Sequence, residues 1–239
     1  MSTAAVQSPG AGVFGFGRGT TVLVLAPHPD DETLGAGGTI ARLTADGATV
    51  HVLAVACPTG PMWGGHSNPA VRVKEFHAAC DIFGVAERTV AWSGEEARHL
   101  HPRDLLELVE TGPLGTCQLR PDLLLIPTAC GFHQDHQAVH HAGMATARLG
   151  GTDKPTPRMV LGYTGPDECW TTIGEPHRVY VDTTNVWPIK HRALQAYASQ
   201  LRPPPHPRSI DAIRTLDAAA GLHIGAGMAE CFVAYRMAC

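Results

Sequence analysis

The apolar positions along the chain follow two patterns. Short runs of β-branched residues and leucine are typical of buried strands, whereas apolar residues three or four apart predict helices. The runs predict strands at 21–26, 51–57, 89–92, 122–127, 159–163, 179–181 and 231–235. The helical spacing predicts helices at 33–45, 71–83, 103–110, 188–201 and 209–222, and a Gly/Pro-rich loop separates strand 51–57 from helix 71–83.

The alternation of these strands and helices predicts the fold class. Strands that alternate with helices form βαβ units, which build a mostly parallel sheet covered by helices. We therefore expect an α/β, Rossmann-like three-layer sandwich with helices on both faces of the sheet. A chain of 239 residues suffices for one such domain. We assign the domain to residues 20–239 and expect residues 1–19 to be disordered.

Composition excludes several classes of protein. Apolar residues make up 44% of the chain and charged residues 17%, which is ordinary for a soluble enzyme. The net charge of −4 argues against a nonspecific nucleic-acid binder. The longest apolar runs fall short of the roughly 20 residues of a membrane span, and no signal peptide is evident at the N-terminus. We therefore expect a cytoplasmic protein, and the sequence leaves a homo-oligomer open.

The cysteines do not indicate a metal site or a disulfide framework. The seven cysteines are scattered, odd in number and without a Cys-x-x-Cys pair, so we expect reduced thiols in the core. Glycines 35, 37 and 38 also lack the G-x-G-x-x-G spacing of a dinucleotide loop, because Ile40 occupies the last glycine position. These glycines favour close packing of a helix on the sheet, and no nucleotide cofactor is expected.

Residues 26–38 carry a candidate metal-ligand set. The segment reads Ala-Pro-His-Pro-Asp-Asp-Glu-Thr-Leu-Gly-Ala-Gly-Gly and follows the predicted strand 21–26. Ligands of open α/β sheets bind outside the carboxyl ends of the strands, so His28, Asp30 and Asp31 are positioned for chemistry. Adjacent aspartates cannot both point at one metal ion. One is expected to ligate the metal and the other to act as a base.

A second polar cluster follows the strand 122–127. It contains His133, Asp135 and His136, and its strand ends at the same edge of the predicted sheet as the strand before His28. If the two strands are neighbours, both clusters converge on one cavity. Two imidazoles and one carboxylate suit a catalytic zinc ion, because three protein ligands leave a coordination position open. The same ligands also suit Fe²⁺ or Co²⁺.

These motifs resemble those of the zinc-dependent N-acetylglucosaminyl-phosphatidylinositol deacetylase family, also called LmbE-like or PIG-L-like. The family signature His-Pro-Asp-Asp-Glu matches residues 28–32, and His-x-Asp-His matches residues 133–136. Further family features follow in order: Arg72 with Glu75, Lys-x-x-Ala-Leu-x-x-x-x-Ser-Gln at residues 190–200, and Ala-Glu-x-Phe at residues 229–232. The resemblance thus covers most of the chain.

The resemblance implies a role for each residue of the two motifs. The zinc ligands are expected to be His28, Asp31 and His136. Asp30 is expected to be the general base for the attacking water. His133 is expected to stabilise the tetrahedral intermediate or to protonate the leaving amine, with Asp135 orienting it. The implied reaction is hydrolysis of an N-acyl group, most often acetate from a 2-acetamido sugar.

Residues outside the two motifs bear on the substrate. Arg72, Trp63 and His66 lie on or beside the loop after the second strand and are candidate substrate contacts. Gln134 replaces the proline that relatives carry in the second signature. His140 lies four residues beyond His136, so on a helix the two residues share one face. His140 is therefore either a competing metal ligand or a residue that packs inside the protein.

Three functions remain open on the sequence alone. The leading one is a deacetylase of an amino sugar or of a small molecule that contains one, such as an antibiotic or thiol-cofactor precursor of secondary metabolism. The second is an amidase that cleaves a larger acyl group, such as a mycothiol-type conjugate. The third is a metal- or sugar-binding relative without catalytic activity. The presence of both a candidate base and a candidate acid argues against the third.

Overall fold

A computed structural model of the protein describes residues 12–62, 65–150, 153–170 and 177–238. The strands in these parts of the chain are β1 (Thr21–Ala26), β2 (Thr49–Pro58), β3 (Gly60–Met62), β4 (Gly65–Ser67), β5 (Glu87–Gly94), β6 (Leu123–Pro127), β7 (Met159–Tyr163), β8 (Arg178–Asp182) and β9 (Ala229–Met237). The helices are α1 (Asp31–Ala45), α2 (Pro69–Phe83), α3 (Pro102–Thr111), α4 (Thr116–Leu119), α5 (Gln134–Thr146), α6 (Trp187–Ala196) and α7 (Ile210–Leu222).

Seven strands form one mixed sheet in the order β5-β2-β1-β6-β7-β9-β8. The five strands from β5 to β7 are parallel, and β9 runs antiparallel to both of its neighbours. The predicted α/β fold with a mostly parallel sheet is confirmed. The chain extends the sheet from β1 first through β2 and later, on the other side, through β6. The carboxyl ends of β1 and β6 therefore flank a topological switch point, where ligands bind in this class of sheet.

Alternating side chains of the strands build an apolar layer on each face of the sheet. Val22 and Val24 of β1 pack in a core cluster with residues of α1, α2 and α6. Leu23 and Leu25 pack in a second cluster with residues of α3 and α5. This alternation follows from the two-residue period of a strand. Both faces of β1 are thus buried, which fixes the position of the loop that follows it.

Three details differ from the sequence-based expectations. The helix predicted at 188–201 ends at Ala196, because Tyr197 leaves the helical conformation and its hydroxyl donates to Glu32. The loop after β2 contains a short hairpin of β3 and β4. The expected disorder of residues 1–19 does not extend over residues 12–19, since Val13 and Phe16 are buried against the core.

The cysteine expectation also needs correction. Of the six described cysteines, only Cys57 and Cys80 are buried. Cys117 and Cys169 are exposed, because they lie on the short helix α4 and in the loop after β7 and not on a core-facing position of the sheet. None of the helices in the described parts of the chain has the length and apolar character needed to span a bilayer.

The glycines of α1 permit the close helix-to-sheet packing predicted for them. A Cβ atom on Gly35 would lie 2.3 Å from Cδ2 of Tyr163 on β7, and one on Gly38 would lie 2.7 Å from Cγ2 of Thr183. Any larger side chain would push the helix away from the sheet. Because α1 begins at Asp31, this packing also positions the first polar motif.

Candidate active site

The two polar motifs lie side by side at the carboxyl edge of the sheet. β1 and β6 are parallel neighbours, with Val22 opposite Leu123 and Val24 opposite Leu125. The motif at residues 28–32 links β1 to α1, and the motif at residues 133–136 leads from β6 into α5. The neighbouring strands therefore bring the motifs together, as the sequence-based hypothesis requires.

A carboxylate oxygen between two imidazoles forms a candidate metal-ligand group. Oδ2 of Asp31 lies 3.1 Å from Nδ1 of His28 and 3.2 Å from Nε2 of His136. All three residues are buried, and one ligand atom from each lies within 4.8 Å of the others. His28, His133 and Asp135 form a second group within the same distance, but there Nε2 of His28 is already hydrogen-bonded to Asp135.

His136 provides a direct test of whether this group fits a metal ion. Its Nε2 atom is buried and makes no hydrogen bond among the described residues. It lies 3.2 Å from Oδ2 of Asp31 without the geometry of a hydrogen bond, and a cation bound between the two atoms would satisfy both. Two histidines and one aspartate are also a ligand set that zinc accepts. The residues present fit a metal ion.

Two further carboxylates hold the candidate ligands in place. Oε2 of Glu168 lies 3.0 Å from Nδ1 of His136, and Oε1 of Glu168 accepts from the backbone N–H of His133. Oδ2 of Asp135 lies 2.8 Å from Nε2 of His28, and its Oδ1 accepts from the backbone N–H of Arg98. The sequence-based hypothesis had the Asp135 carboxylate orienting His133. In the structure that carboxylate contacts the imidazole of His28.

The protonation of the ligand group follows from its mutual contacts. Burial opposes the charge on His136, but Asp31 and Glu168 outweigh it and raise its pKa to about 10. Burial also opposes the charge on Asp31, yet the two histidines keep its pKa well below the usual range. The pKa of His28 is raised, because its hydrogen bonds to Asp135 and Asp31 outweigh the effect of burial. A bound cation would compete with these protons.

Asp30 stands beside the ligand group in an unusual backbone conformation. Its φ of 131° is rare for a residue with a side chain. Its Oδ1 accepts from Nη2 of Arg72 at 3.2 Å, and its Oδ2 accepts from Nη1 of Arg208 at 3.2 Å. Burial raises the pKa of Asp30 although both guanidinium groups oppose the shift. The strained turn directs this carboxylate away from the ligand position that Asp31 occupies.

Glu32 supports the turn from inside the protein. Its carboxylate accepts from the hydroxyls of Tyr197 and Thr33, each at 2.6 Å, and from the backbone N–H of Asp30 at 3.2 Å. The side chain is fully buried, and burial raises its pKa to about 7. Glu32, the last residue of the first signature, therefore stabilises the strained backbone of Asp30 by accepting a hydrogen bond from its N–H.

His133 caps the helix that carries the second motif. Its Nδ1 accepts from the backbone N–H of Asp135 at 3.3 Å, so in the neutral ring Nε2 carries the proton. Burial lowers the pKa of His133, and the neighbouring charges of His28 and His136 act in the same direction. His133 thus offers a neutral N–H donor next to the candidate ligands. Gln134, which replaces the proline of relatives, begins α5 and accepts from Arg98 at 3.3 Å.

A polar cavity of about 400 Å³ opens above these groups. His28, Asp30, His133 and Asp135 line it together with residues of the β3–β4 hairpin and of the loop after α6. Its charged lining consists of four arginines and several carboxylates: Arg72, Arg98, Arg202, Arg208, Asp30, Asp135, Glu96 and Asp167. The size and polarity of the cavity suit a small polar molecule.

The candidate substrate residues have different positions. Arg72 is buried and lines the cavity. His66 lies on β4 next to the cavity residue Ser67, but it is exposed and its Nδ1 faces the carbonyl oxygen of Ser67. Trp63 lies outside the described residues. His140 is buried, and its Nδ1 donates to the carbonyl oxygen of Pro127 at 2.9 Å, which favours packing over metal binding.

Sequence reasoning missed several residues of the site, among them Glu168, Arg208 and Gln200. Glu168 holds His136, Arg208 contacts Asp30, and Gln200 lines the cavity. Gln200 was visible only as the last residue of a family pattern. Glu168 and Arg208 lie in irregular segments where no spacing pattern signals a function.

Comparison with known proteins identifies the family. The family described as PIG-L, GlcNAc-PI de-N-acetylase, matches residues 23–147, a span that contains both motifs. The chain belongs to this de-N-acetylase family. A probable N-acetyl-alpha-D-glucosaminyl L-malate deacetylase 2 from Bacillus anthracis is 30% identical over 193 residues, which is 75% of this chain and 80% of the relative. The resemblance predicted from the motifs is confirmed.

Solved structures share the fold of this de-N-acetylase family member. The conserved protein TT1542 from Thermus thermophilus superposes with a TM-score of 0.68 at 27% identity, covering 89% of this chain and 93% of that chain. The A40926 pseudoaglycone deacetylase Dbv21 superposes with a TM-score of 0.71 at 21% identity, covering 92% of this chain and 99% of that chain. The second likeness bears on the fold alone.

Proposed function

We propose that the protein is a zinc-dependent N-deacetylase that hydrolyses the N-acetyl group of an amino sugar or of a small molecule containing one. The observation that carries the proposal is the placement of Asp30 and His133 beside the group formed by His28, Asp31 and His136. A site that only bound a metal ion would need His28, Asp31 and His136 but neither Asp30 nor His133. The Bacillus anthracis relative named above as a probable deacetylase supports the same reaction class. The expected cytoplasmic location is part of this proposal.

His28, Asp31 and His136 would hold the zinc ion. Zinc, when bound, lowers the pKa of a coordinated water to about 7 and polarises the amide carbonyl. Glu168 contacts the imidazole of His136 and Asp135 that of His28, and these carboxylates would orient the two rings for ligation. Fe²⁺ and Co²⁺ accept the same donors, so the choice of zinc rests on the ligand set and the family.

Asp30 would take the proton of the attacking water. Burial raises the pKa of its carboxyl group above the usual range, which makes it a better proton acceptor. Arg72 and Arg208 each hold one of its two oxygens, so the carboxylate keeps one orientation. The backbone strain at Asp30 separates this role from that of the adjacent ligand.

His133 would act on the other side of the scissile amide. With Nδ1 held by the backbone N–H of Asp135, its Nε2–H can donate to the oxygen on which negative charge develops. The proton that Asp30 receives must finally reach the departing amine nitrogen, since an amide anion is a poor leaving group. His133 would assist that transfer.

Acetate release tests the proposal. Methyl N-acetyl-α-D-glucosaminide is incubated with the zinc-loaded protein, with protein treated with a chelator, and with Asp30→Ala. We expect acetate only from the zinc-loaded wild type, and activity restored when zinc is returned. Full activity after removal of the metal, or in Asp30→Ala, would contradict the mechanism. A panel with larger acyl groups tests the amidase alternative, which uses the same residues.

A further inference from the structure

Arg208 links Asp30 to a second carboxylate, that of Asp167. Its Nη1 donates to Oδ2 of Asp30 at 3.2 Å, and its Nε donates to Oδ2 of Asp167 at 3.0 Å. All three residues line the cavity, and the Arg208 side chain is only 20% exposed. Hydrogen bonds between ionised groups are roughly twice as strong as those between neutral groups. The contact between Asp167 and Arg208 plays no part in the mechanism proposed above.

The two contacts fix the orientation of the Arg208 guanidinium group. This group is planar, and its donors form a rigid fork at the end of a flexible side chain. With Nε held by Asp167, the plane cannot turn, and Nη1 stays directed at Asp30. Without Asp167, Asp30 would be the one hydrogen-bond partner left to this side chain among the described residues.

The backbone around Asp167 is itself held in place. The N–H of Glu168 donates to the carbonyl oxygen of Gly165 at 3.1 Å, and the indole N–H of Trp170 donates to the carbonyl oxygen of Asp167 at 3.1 Å. The side chain of Glu168 contacts Nδ1 of His136 at 3.0 Å. The segment that carries Asp167 is therefore tied to the second motif, and its carboxylate can serve as a fixed support.

Arg208 is also anchored through its backbone. Its N–H donates to Nδ1 of His206 at 3.0 Å, and its carbonyl oxygen accepts from the N–H of Arg202 at 3.3 Å. The next residue, Ser209, caps α7. Both the backbone and Nε of Arg208 are thus held by groups other than Asp30.

We infer that Asp167 is a positioning residue that holds Arg208 against the general base Asp30. A carboxylate oxygen has two lone pairs, so Oδ2 of Asp30 can accept from Arg208 and still receive a proton. A general base must lie within hydrogen-bond reach of the proton that it takes, and a displacement of about 1 Å can cost about 100-fold in rate. Asp167 acts by accepting a hydrogen bond and not by its charge. The inference rests on the proposed function, since Asp30 is the base only in that mechanism.

Steady-state kinetics on methyl N-acetyl-α-D-glucosaminide test the inference. Asp167→Ala should lower kcat about 10- to 100-fold with little change in KM, because it displaces the base and removes no substrate contact. Asp167→Asn should keep most of the activity, since its amide oxygen still accepts from Nε of Arg208. Its amide nitrogen replaces Oδ1, which has no partner among the described residues. Arg208→Lys keeps the charge but lacks the planar fork, so it should lose as much kcat as Asp167→Ala.

The Nε–H resonance of Arg208 in ¹⁵N spectra of the zinc-loaded protein provides a readout that does not depend on activity. Its absence from Arg208→Lys assigns it. Its exchange with water should be slow in the wild type and in Asp167→Asn, and fast in Asp167→Ala. The zinc content should be the same in all these proteins, which separates a displaced base from a damaged metal site.

A double-mutant cycle and a matched control complete the test. Asp167→Ala should cause no further loss in an Arg208→Ala background, because its effect passes through that side chain. Asp104→Ala, at an exposed position of α3, should leave kcat and KM unchanged.

Three results would overturn the inference. A rise in KM alone would make Asp167 a substrate contact, equal losses in Asp167→Asn and Asp167→Ala would make its charge decisive, and additive losses in the cycle would separate it from Arg208. A wild type that releases no acetate from this glycoside or from other 2-acetamido sugars would instead contradict the proposed function, and the inference with it.

Discussion

Nε2 of His28 lies 2.8 Å from Oδ2 of Asp135, so a carboxylate of the second motif supports a candidate metal ligand of the first. The other nitrogen of the same ring faces Asp31. A carboxylate in this position fixes the tautomer and the orientation of a ligating imidazole. We therefore expect Asp135→Asn to weaken zinc binding about 10- to 100-fold, as measured by competition with a chromogenic chelator.

The control for this experiment is Asp104→Asn, at an exposed position in the first turn of α3. Its zinc affinity should equal that of the wild type. If Asp135→Asn kept full zinc affinity but lost activity, the carboxylate would act on His133, as the sequence alone suggested, and not on His28.

Zinc should stabilise the folded protein by binding the group formed by His28, Asp31 and His136. A ligand that binds only the folded state at 100 times its Kd adds about 2.7 kcal/mol to the free energy of unfolding. For a chain of this length that corresponds to a rise in Tm of about 5–10 °C. Differential scanning fluorimetry with and without zinc measures it. Asp31→Asn should lose most of the rise, whereas His66→Ala, an exposed histidine, should keep it. An equal rise in Asp31→Asn would place the zinc ion elsewhere.

Glu32 should make the stability of the metal-free protein depend on pH. Burial raises its pKa from 4.5 to about 7 in the folded state. A raised pKa means that the folded protein holds the proton more tightly than the unfolded chain. The stabilisation from this group is therefore complete below pH 4.5 and is lost as the pH rises through 7. At 1.36 kcal/mol per pKa unit, the change amounts to about 3 kcal/mol.

Glu32→Gln removes the titration and tests this sign. Urea unfolding of metal-free wild type and variant is measured at several values between pH 4.5 and 7.5. The stability of the wild type relative to Glu32→Gln should fall as the pH rises. Glu107→Gln, on the exposed face of α3, should follow the wild type throughout. Parallel profiles of wild type and Glu32→Gln would show that Glu32 is ionised in the folded protein over this whole range.

The fold was predictable where the local pattern decides the structure. The strands β1 and β7 have the predicted bounds, because both are continuous apolar runs. The helix α6 is shorter than predicted, since Tyr197 leaves it to contact Glu32, a residue that lies 165 positions away in the sequence. Such a tertiary contact overrides helical spacing and leaves no trace in the local sequence.

The site was predictable where its chemistry lies in short motifs. The ligand group, Asp30 and His133 each sit within a few residues of a strand end, where sequence and topology together specify their position. Arg208 approaches Asp30 across 178 residues of sequence, and Glu168 approaches His136 across 32. Both come from irregular segments, so only the folded structure brings them to the site.

Gly35 provides a test of the packing that positions α1 and its candidate metal-ligand motif. A Cβ atom at this position would lie 2.3 Å from Cδ2 of Tyr163. That ring cannot easily move, because Tyr163 is buried and its hydroxyl donates to the carbonyl oxygen of Leu25 at 2.8 Å. Replacing glycine by alanine in a helix is favourable by about 1 kcal/mol, so any loss of stability must come from the steric conflict.

We expect Gly35→Ala to lower the free energy of unfolding by about 2 kcal/mol net, measured by urea denaturation. Gly65→Ala, where no heavy atom of the described residues lies within 4 Å of the added Cβ, should change it little. If the conflict is with the ring, adding Tyr163→Leu to Gly35→Ala should cost less than Tyr163→Leu costs alone in the wild type. Independent, additive losses would mean that α1 shifts as a whole, and zinc affinity would then fall in Gly35→Ala as well.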